Sequence, residues 1–163
     1  MKNKFLYLAL ALLFQPVTHA APADYTQQIQ IDADNLASLK ENVLTYSDNV
    51  IITQGSIRIS ADRLEIDASA GKGKEVYSVS GSPVSYSQLL EETKTVNAFA
   101  SEMRYEPANR TLTLNGNAEL VQSGSVVKAS VIKYNVETQE LNAASDSSRR
   151  VTTIITPEED QQP

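Results

Sequence analysis

The chain has 163 residues with no Cys, no Trp and one His, and its formal net charge is −6 at pH 7. Without cysteine it gains no disulfides, so an exported chain of this size must be stable through a regular fold. The acidic balance argues against nucleic acid as a partner, and against polybasic attachment to an anionic membrane, because both need basic patches.

The N-terminal twenty residues have the pattern of a secretory signal peptide. Lys2 and Lys4 precede the apolar run "FLYLALALLF" (5–14), and a small residue, Ala20, stands at the expected cut. The run is too short to span a bilayer, which needs ~20 apolar residues. Cleavage after residue 20 of 163 leaves 143 residues, and losing the two lysines moves the charge from −6 to −8.

The remaining chain is predicted to be one all-β domain, residues 21–156, followed by a polar, acidic and disordered tail, 157–163. Gly- and Asn-rich turn signals recur every ~8 to 14 residues between stretches of alternating apolar and polar residues. The best helical candidate, 34–42, has at most one or two turns. The segment 85–96 fits either a short helical turn or a strand followed by a polar hairpin.

An internal repeat divides this domain into stacked β units. The segment "DNVIITQ" (48–54) matches "GNAELVQ" (116–122) at an offset of 68 residues. A second pattern, Ala–(Asp or Ser)–x–(Leu, Met or Ile), occurs four times, at "ADNL" (33–36), "ADRL" (61–64), "ASEM" (100–103) and "ASVI" (129–132).

The second pattern predicts a bend at the same point of each unit. The apolar parity runs up to the alanine and resumes three residues later, and period-2 alternation cannot continue through a step of three. The chain must therefore bulge there and turn one sheet into a second, with the small alanine allowing the backbones to approach. A rolled antiparallel stack with one strip of inward aliphatic residues follows.

The inward strip is the candidate binding surface. An ordinary filled core and a slot for an apolar ligand need the same residues, so the pattern alone leaves both open. The absence of Trp and the near absence of Phe favour acyl chains over flat rings as the contents of a slot. The candidate positions are Ile29, Ile31, Leu44, Tyr46, Val50, Ile52, Ile57, Ile59, Leu64, Ile66, Tyr86, Met103, Tyr105, Leu112, Leu114, Leu120, Ile132 and Tyr134, with Val84 and Leu141 sharing their parity.

No catalytic or metal site is expected. Asp32 and Asp34 lie two residues apart, as do Glu65 and Asp67, but their parity is opposite to the inward strip, which predicts solvated carboxylates on the outer face. Serine nucleophiles lack a histidine base, and no phosphate-binding or zinc-binding motif is present. The chain is therefore predicted not to be an enzyme, and no cofactor is expected.

The first and last strands are candidate interaction edges. The strand "QIQID" (28–32) and the β-branched strand "RRVTTIIT" (149–156) each leave a row of backbone groups free to pair. Either each edge is simply frayed or covered, or the first edge pairs with the last edge of another copy in head-to-tail β-augmentation.

Four segments in order resemble the LptA (OstA-like) family of periplasmic lipopolysaccharide transport proteins. They are "NVIITQGSIRISADRLEI" (49–66), "GKEV" (73–76), "ASEMRYE" (100–106) and "RVTTIITP" (150–157), and the resemblance extends from Ile29 to Pro157. It implies an incomplete β-jelly roll of stacked antiparallel strands whose apolar groove is open at both ends. It also implies that the inward residues face the acyl chains of lipid A, and that no residue is catalytic.

The resemblance further implies a partner at each edge. An LptC-like inner-membrane protein would pair with the N-terminal edge, and an LptD-like outer-membrane protein or another copy would pair with the C-terminal edge. The edge residues are Ile29, Gln30, Ile31, Asp32 and Ala33 at the first edge, and Val151, Thr152, Thr153, Ile154 and Ile155 at the last.

Two other functions remain open at this point. An exported structural or adhesive β-solenoid would have a sealed core and carry no lipid. A β-helix enzyme acting on polysaccharides would need clustered carboxylates or basic residues on one exposed face, and would bind sugar without acyl chains.

Overall fold

The computed structural model describes residues 24–91, 94–146 and 149–156, so the signal peptide and the acidic tail lie outside the described residues. Two short 3-10 helices, η1 (Asp24–Thr26) and η2 (Pro107–Asn109), accompany the strands. No helix in the described ranges is long and apolar enough to cross a membrane. The strands are β1 (Gln30–Asp32), β2 (Asn35–Lys40), β3 (Val43–Gln54), β4 (Ile57–Asp67), β5 (Val76–Glu91), β6 (Lys94–Glu106), β7 (Thr111–Gln122), β8 (Ser125–Asn135), β9 (Leu141–Ala144) and β10 (Thr152–Ile154).

The strands form one antiparallel sheet in which each strand from β3 to β8 pairs with the next. Two strands pair with β3 at one end of this meander: β1 with residues 51–53 and β2 with residues 43–47. Two strands also pair with β8 at the other end, β9 along residues 131–134 and β10 along residues 126–128. Both ends are therefore split, and the sheet has two arms.

The arms are defined by the two halves of the long strands. Arm A contains β2, residues 43–47, 63–67, 76–80, 102–106, 111–115 and 131–135, and β9. Arm B contains β1, residues 50–54, 57–60, 84–91, 94–99, 118–122 and 125–129, and β10.

A bulge separates the two arms in every long strand pair. The register shifts between Ser47 and Val50, and at the equivalent point of each later pair through β7 and β8. In β3 the bulge contains Asp48 and Asn49 at φ 65° and 50°. In β7 it contains Gly116 and Asn117 at φ 74° and 50°. The two segments that repeat at an offset of 68 residues thus form the same kind of bulge, with two successive residues in the left-handed region of backbone conformation.

The predicted alanine corner is confirmed for the units whose side chains are described. Ala61, Ala100 and Ala129 are 8%, 1% and 8% exposed. Burial resumes three residues later in each case, as the repeat predicts, since Leu64, Met103 and Ile132 are at most 1% exposed. In the first unit Ala33 is half-buried, and the side chain of Leu36 lies outside the described residues.

The helical candidate at 34–42 is wrong. Residues Asn35–Lys40 form β2, and Glu41 and Asn42 form a two-residue hairpin loop with φ values of 49° and 66°. Positive φ at both loop residues fits the right-handed twist of the flanking strands, and pairing with β3 satisfies the backbone better than one or two isolated helical turns. For 85–96 the strand-and-hairpin alternative is the observed one, with residues 92 and 93 outside the described ranges.

We expect an enlarged side chain at the corner to be far more costly than the same enlargement on the outer face. Ala118→Leu adds volume where a 1% exposed alanine faces Ala129 on the neighbouring strand, so the free energy of unfolding should fall by ~1–3 kcal/mol. Ala144→Leu, at an exposed position of β9, is the matched control and should change it by at most ~0.5 kcal/mol. Urea unfolding measures both, and equal losses would contradict the corner.

Candidate functional site

The space between the two arms, which we call the slot, contains every one of the candidate inward residues. Four of them, Ile29, Ile31, Leu44 and Tyr46, are half-buried near the β1 and β2 end and pack against the others. The remaining fourteen are 6% exposed or less, namely Val50, Ile52, Ile57, Ile59, Leu64, Ile66, Tyr86, Met103, Tyr105, Leu112, Leu114, Leu120, Ile132 and Tyr134. In this conformation the side chains of the two arms fill the slot.

Several slot residues were not in the candidate set. Val79, Val96 and Ala98 are at most 3% exposed, and Tyr77 is 8% exposed. Each lies in a stretch where apolar residues alternate with Ser, Thr or Asn, so the period-2 signal was present in the sequence. Polar turn residues precede both stretches, at 70–74 and 91–94, and shorten the run of alternation on that side.

The slot has an apolar interior and a polar rim. Counting along each strand of arm B away from the corner, the third inward position is Gln54 on β3, Gln88 on β5 and Gln122 on β7. Opposite them on arm A stand tyrosines at the ends of their strands, including Tyr105 and Tyr134. The rim is the side of the slot opposite the corner, and we call it the mouth.

Glutamine and tyrosine side chains meet across the mouth. The Tyr105 hydroxyl donates to Oε1 of Gln54 over 3.5 Å, and the Tyr134 hydroxyl donates to Oε1 of Gln122 over 3.4 Å. These are long hydrogen bonds near the limit of useful geometry. The two arms are therefore joined weakly at the mouth and covalently at the corner. Gln54 and Gln122 occupy the same position in the 68-residue repeat, which is a signal that could have located the mouth from sequence.

Burial raises the pKa of three tyrosines in the slot. Desolvation in the slot raises the pKa of Tyr86 and of Tyr105 well above the usual tyrosine value near 10. The same effect raises the pKa of Tyr134 to about 12. These hydroxyls are neutral hydrogen-bond donors at physiological pH, and they place no charge beside the apolar interior.

The four carboxylates that the alternation places on the outer face are exposed to solvent in the structure, which confirms that prediction. Asp32, Asp34, Glu65 and Asp67 are all exposed. Glu65 accepts an ion-paired hydrogen bond of 2.8 Å from Arg63, and Asp67 accepts a hydrogen bond of 2.9 Å from the backbone N–H of Ser69. Within the described ranges no group of three or more Asp, Glu, His or Cys side chains could hold a metal ion.

Among the residues that the structure describes, both ends of the sheet are open edges. The sequence pointed to the first and last strands, which are the edge strands of arm B, but the edges of arm A, β2 and β9, were missed. On the last strand only Thr152–Ile154 pairs with β8, and Val151, Ile154 and Ile155 are 45%, 52% and 75% exposed. The first strand is likewise short, Gln30–Asp32, within the expected 28–32.

The two edges carry opposite charge near the corner. At the N-terminal edge Asp32, Asp34 and Asp48 are exposed. At the C-terminal edge Arg149 donates to Oδ1 of Asn117 over 2.8 Å, and Arg150 lines the same surface hollow. Asp146, whose carboxylate is 3.5 Å from the Ser130 hydroxyl, lies on the same C-terminal edge, so the two arginines there outnumber one carboxylate, whereas the three aspartates give the N-terminal edge a negative charge.

The fold and the slot define a class: a two-armed, incomplete β-jelly roll with an apolar interior, a polar mouth and, in the described part of the chain, an open edge at each end. A solved structure shares this fold, with a TM-score of 0.76 and 23% identity over 83% of this chain and 100% of that chain. It is the crystal structure of LptH, described as the LptA-homologous periplasmic component of the lipopolysaccharide transport device of Pseudomonas aeruginosa.

Sequence comparison identifies the family. The family model described as LptA/(LptD N-terminal domain) LPS transport protein matches residues 30–140. The lipopolysaccharide export system protein LptA of Haemophilus influenzae is 39% identical over 165 residues, covering 99% of this chain and 96% of that protein. LptA of Escherichia coli K12 is 39% identical over 155 residues, 93% of this chain and 84% of that protein. The chain belongs to the LptA/LptD N-terminal domain family of lipopolysaccharide transport proteins.

Alkaline pH should destabilise the fold through the buried tyrosines. In the unfolded chain a tyrosine loses its proton near pH 10, whereas Tyr134 in the fold keeps it to about pH 12. Above pH 10 the unfolded state binds fewer protons, so the free energy of unfolding should fall by ~1.4 kcal/mol per pH unit for each such tyrosine. The contribution of these tyrosines to the free energy of unfolding should not change between about pH 7 and 9, where they are protonated in both states.

Urea unfolding from about pH 7 to 12 measures this dependence, and tyrosinate absorbance follows the protons directly. Tyr134→Phe removes one titrating group and should make the alkaline slope shallower by ~1.4 kcal/mol per pH unit. An unchanged slope in this variant would show that Tyr134 titrates equally in both states.

Proposed function

We propose that the chain is a periplasmic carrier of lipopolysaccharide, which holds the acyl chains of lipid A in the slot and leaves the sugars in solvent. The family membership supports this proposal, and so does the slot itself. The single observation that carries it is the continuity of the apolar interior, which runs between the arms from the β1–β2 end to the β9–β10 end.

The physical need for such a slot follows from the cost of exposing acyl chains. Each exposed CH₂ group costs ~0.8 kcal/mol in water, so a lipid with several chains cannot cross an aqueous gap unshielded. Branched aliphatic residues, alanines and Met103 line the slot near the corner, and the Tyr86 hydroxyl reaches toward the mouth, where it donates to Oε1 of Gln88 over 2.8 Å. Phosphorylated sugars would meet the polar rim while the chains lie inside.

Loading requires the arms to separate. The slot residues now contact one another, so acyl chains must replace contacts between the two arms with contacts to each arm. This exchange substitutes one apolar contact for another and leaves little apolar surface in water. The groups that must part at the mouth are held by the two long hydrogen bonds from Tyr105 and Tyr134.

The open edges suit the assembly of a continuous bridge. Partner jelly rolls would add strands to both arms: an LptC-like inner-membrane protein at β1 and β2, and an LptD-like outer-membrane protein or another copy at β9 and β10. Contact between copies would join two different edges, the last edge of one copy and the first edge of the next, so the assembly would extend from copy to copy. The acidic patch at Asp32, Asp34 and Asp48 faces the opposite charge of Arg149 and Arg150 when copies stack head to tail, which favours one orientation.

Site-specific photo-crosslinking in cells that make lipopolysaccharide tests the cargo. Probes at Ile52 and Leu120, both 3% exposed in the slot, should form lipopolysaccharide adducts, and a probe at Ile31 on the first edge should do so as well. Arg58, exposed on the outer face between two slot residues of β4, is the matched control and should form none.

Folded protein that gives no adduct at any of the three positions would contradict the carrier proposal. It would favour the structural β-solenoid. In such a protein the inward residues form a sealed core, and their almost complete burial is what that core predicts. Adducts at Arg58 as frequent as those at Ile52 would show surface contact rather than occupation of the slot.

A further inference from the structure

The described chain begins with a short segment that lies along the mouth of the slot. We call residues 24–29 the strap. Its C-terminal end is fixed where β1 begins to pair with β3, and its other end is η1. Ile29 and Tyr25 are partly buried against the slot residues, so the strap contributes side chains to the mouth itself.

Asp24 attaches the strap to arm B. Its side chain is 1% exposed, and Oδ1 accepts a 2.8 Å hydrogen bond from the backbone N–H of Ser56. Oδ2 accepts hydrogen bonds from the Ser56 hydroxyl at 2.7 Å and from Nε2 of Gln88 at 2.9 Å. Ser56 is in the β3–β4 turn, and a Cβ atom on its neighbour Gly55 would collide with the Asp24 carboxylate. The turn is therefore shaped to receive this side chain.

Tyr25 carries the strap across to arm A. The guanidinium carbon of Arg110, the residue immediately before the arm A part of β7, lies 4.2 Å from the centre of the Tyr25 ring. The Tyr25 hydroxyl is 3.3 Å from Nε2 of Gln88, which belongs to arm B. Gln54 adds a third attachment by donating to the carbonyl oxygen of Gln27 over 3.1 Å. The strap thus contacts both arms at the polar rim.

The strap is held by contacts that can be exchanged for water. Within the described residues no cation forms an ion pair with Asp24, so a carboxylate is buried among neutral donors, which recovers only part of its hydration free energy. Nε of Arg110 is buried and has no hydrogen-bond partner among the described residues. Releasing the strap would expose both groups to water, which would supply hydrogen-bond partners in place of those that are lost.

We propose that the strap is a displaceable closure of the mouth, whose release lets an acyl chain enter the slot sideways between the arms. This inference rests on the proposed carrier function and adds the route of entry. With the strap in place, Asp24, Tyr25 and the rim glutamines fill the gap through which a chain would pass. With the strap released, only the long Gln54–Tyr105 and Gln122–Tyr134 hydrogen bonds join the arms there within the described part of the chain.

A disulfide that pins the strap tests this route. The wild-type chain has no cysteine, so the double variant Asp24→Cys/Ser56→Cys has one defined pair. Because β1 already holds the other end of the strap, the disulfide fixes it at both ends. The probe is a lipid A whose acyl chain carries an environment-sensitive fluorophore, mixed with protein purified from the periplasm. We expect the oxidised variant to take up lipid at least about tenfold more slowly, and reduction to restore the rate.

The matched control is the double variant Arg58→Cys/Ser87→Cys. These residues are cross-strand partners on the outer face of arm B, so their disulfide staples the same arm without touching the strap. Its oxidised and reduced forms should take up lipid at the wild-type rate. A second variant, Tyr25→Ala, removes the contact with Arg110 and should speed uptake about three- to tenfold, since the strap then bridges the arms less firmly.

The outcomes separate the two proposals. Equal uptake by the oxidised and reduced strap variants, with wild-type chain active, would overturn the strap as a closure and favour entry through the open ends. A wild-type chain that takes up no lipid at all would overturn the carrier function, and the closure with it. Slow oxidised uptake, recovery on reduction and an unaffected control would establish the strap as the gate.

Discussion

The architecture depends on one constraint: each long strand must keep its apolar face inward on both sides of a bend. A strand that bent without a bulge would turn its second half outward, because side chains alternate with period 2. The shift at Ser47/Val50 and its equivalents corrects the parity in five successive strand pairs. The alanines at the bend then let the two arms approach, and the slot between them is the result.

The same geometry explains why the slot has a polar mouth. The arms are closest at the corner and end at the turns, where water reaches the backbone. Residues at the strand ends must therefore be compatible with both an apolar neighbour and solvent. Tyrosine and glutamine meet this need, since each has an apolar body and a hydrogen-bonding tip. The rim can thus meet solvent without placing a charged group beside the apolar interior.

Much of this arrangement could be predicted from the sequence, because the repeated alanine pattern occurs at the bend of each unit. The step of three from Ala61 to Leu64 predicted the bulge, and the alternation predicted which side chains point inward. The segment 34–42 misled because Leu36 and Leu39 have helical spacing, while the pairing with β3 that decides its conformation is a tertiary effect. The edges of arm A were missed for the same reason.

The strap could not be predicted, because its contacts join residues far apart in sequence. Asp24 and Ser56 are separated by 32 residues and Asp24 and Gln88 by 64, and neither pair belongs to a repeat. The glutamines of the mouth were within reach, since Gln54 and Gln122 end the two repeated segments. Reading them as rim residues required knowing that both segments end on the open side of the slot.

The most direct test of the slot as the lipid site uses the chain's own tyrosine fluorescence. The chain has no Trp, and Tyr86, Tyr105 and Tyr134 line the slot, so emission reports on its contents. Lipid A with brominated acyl chains quenches only on contact. The account predicts strong quenching by this lipid and none by the same sugar without acyl chains. Lipid that binds without quenching would place the acyl chains outside the slot and contradict the account.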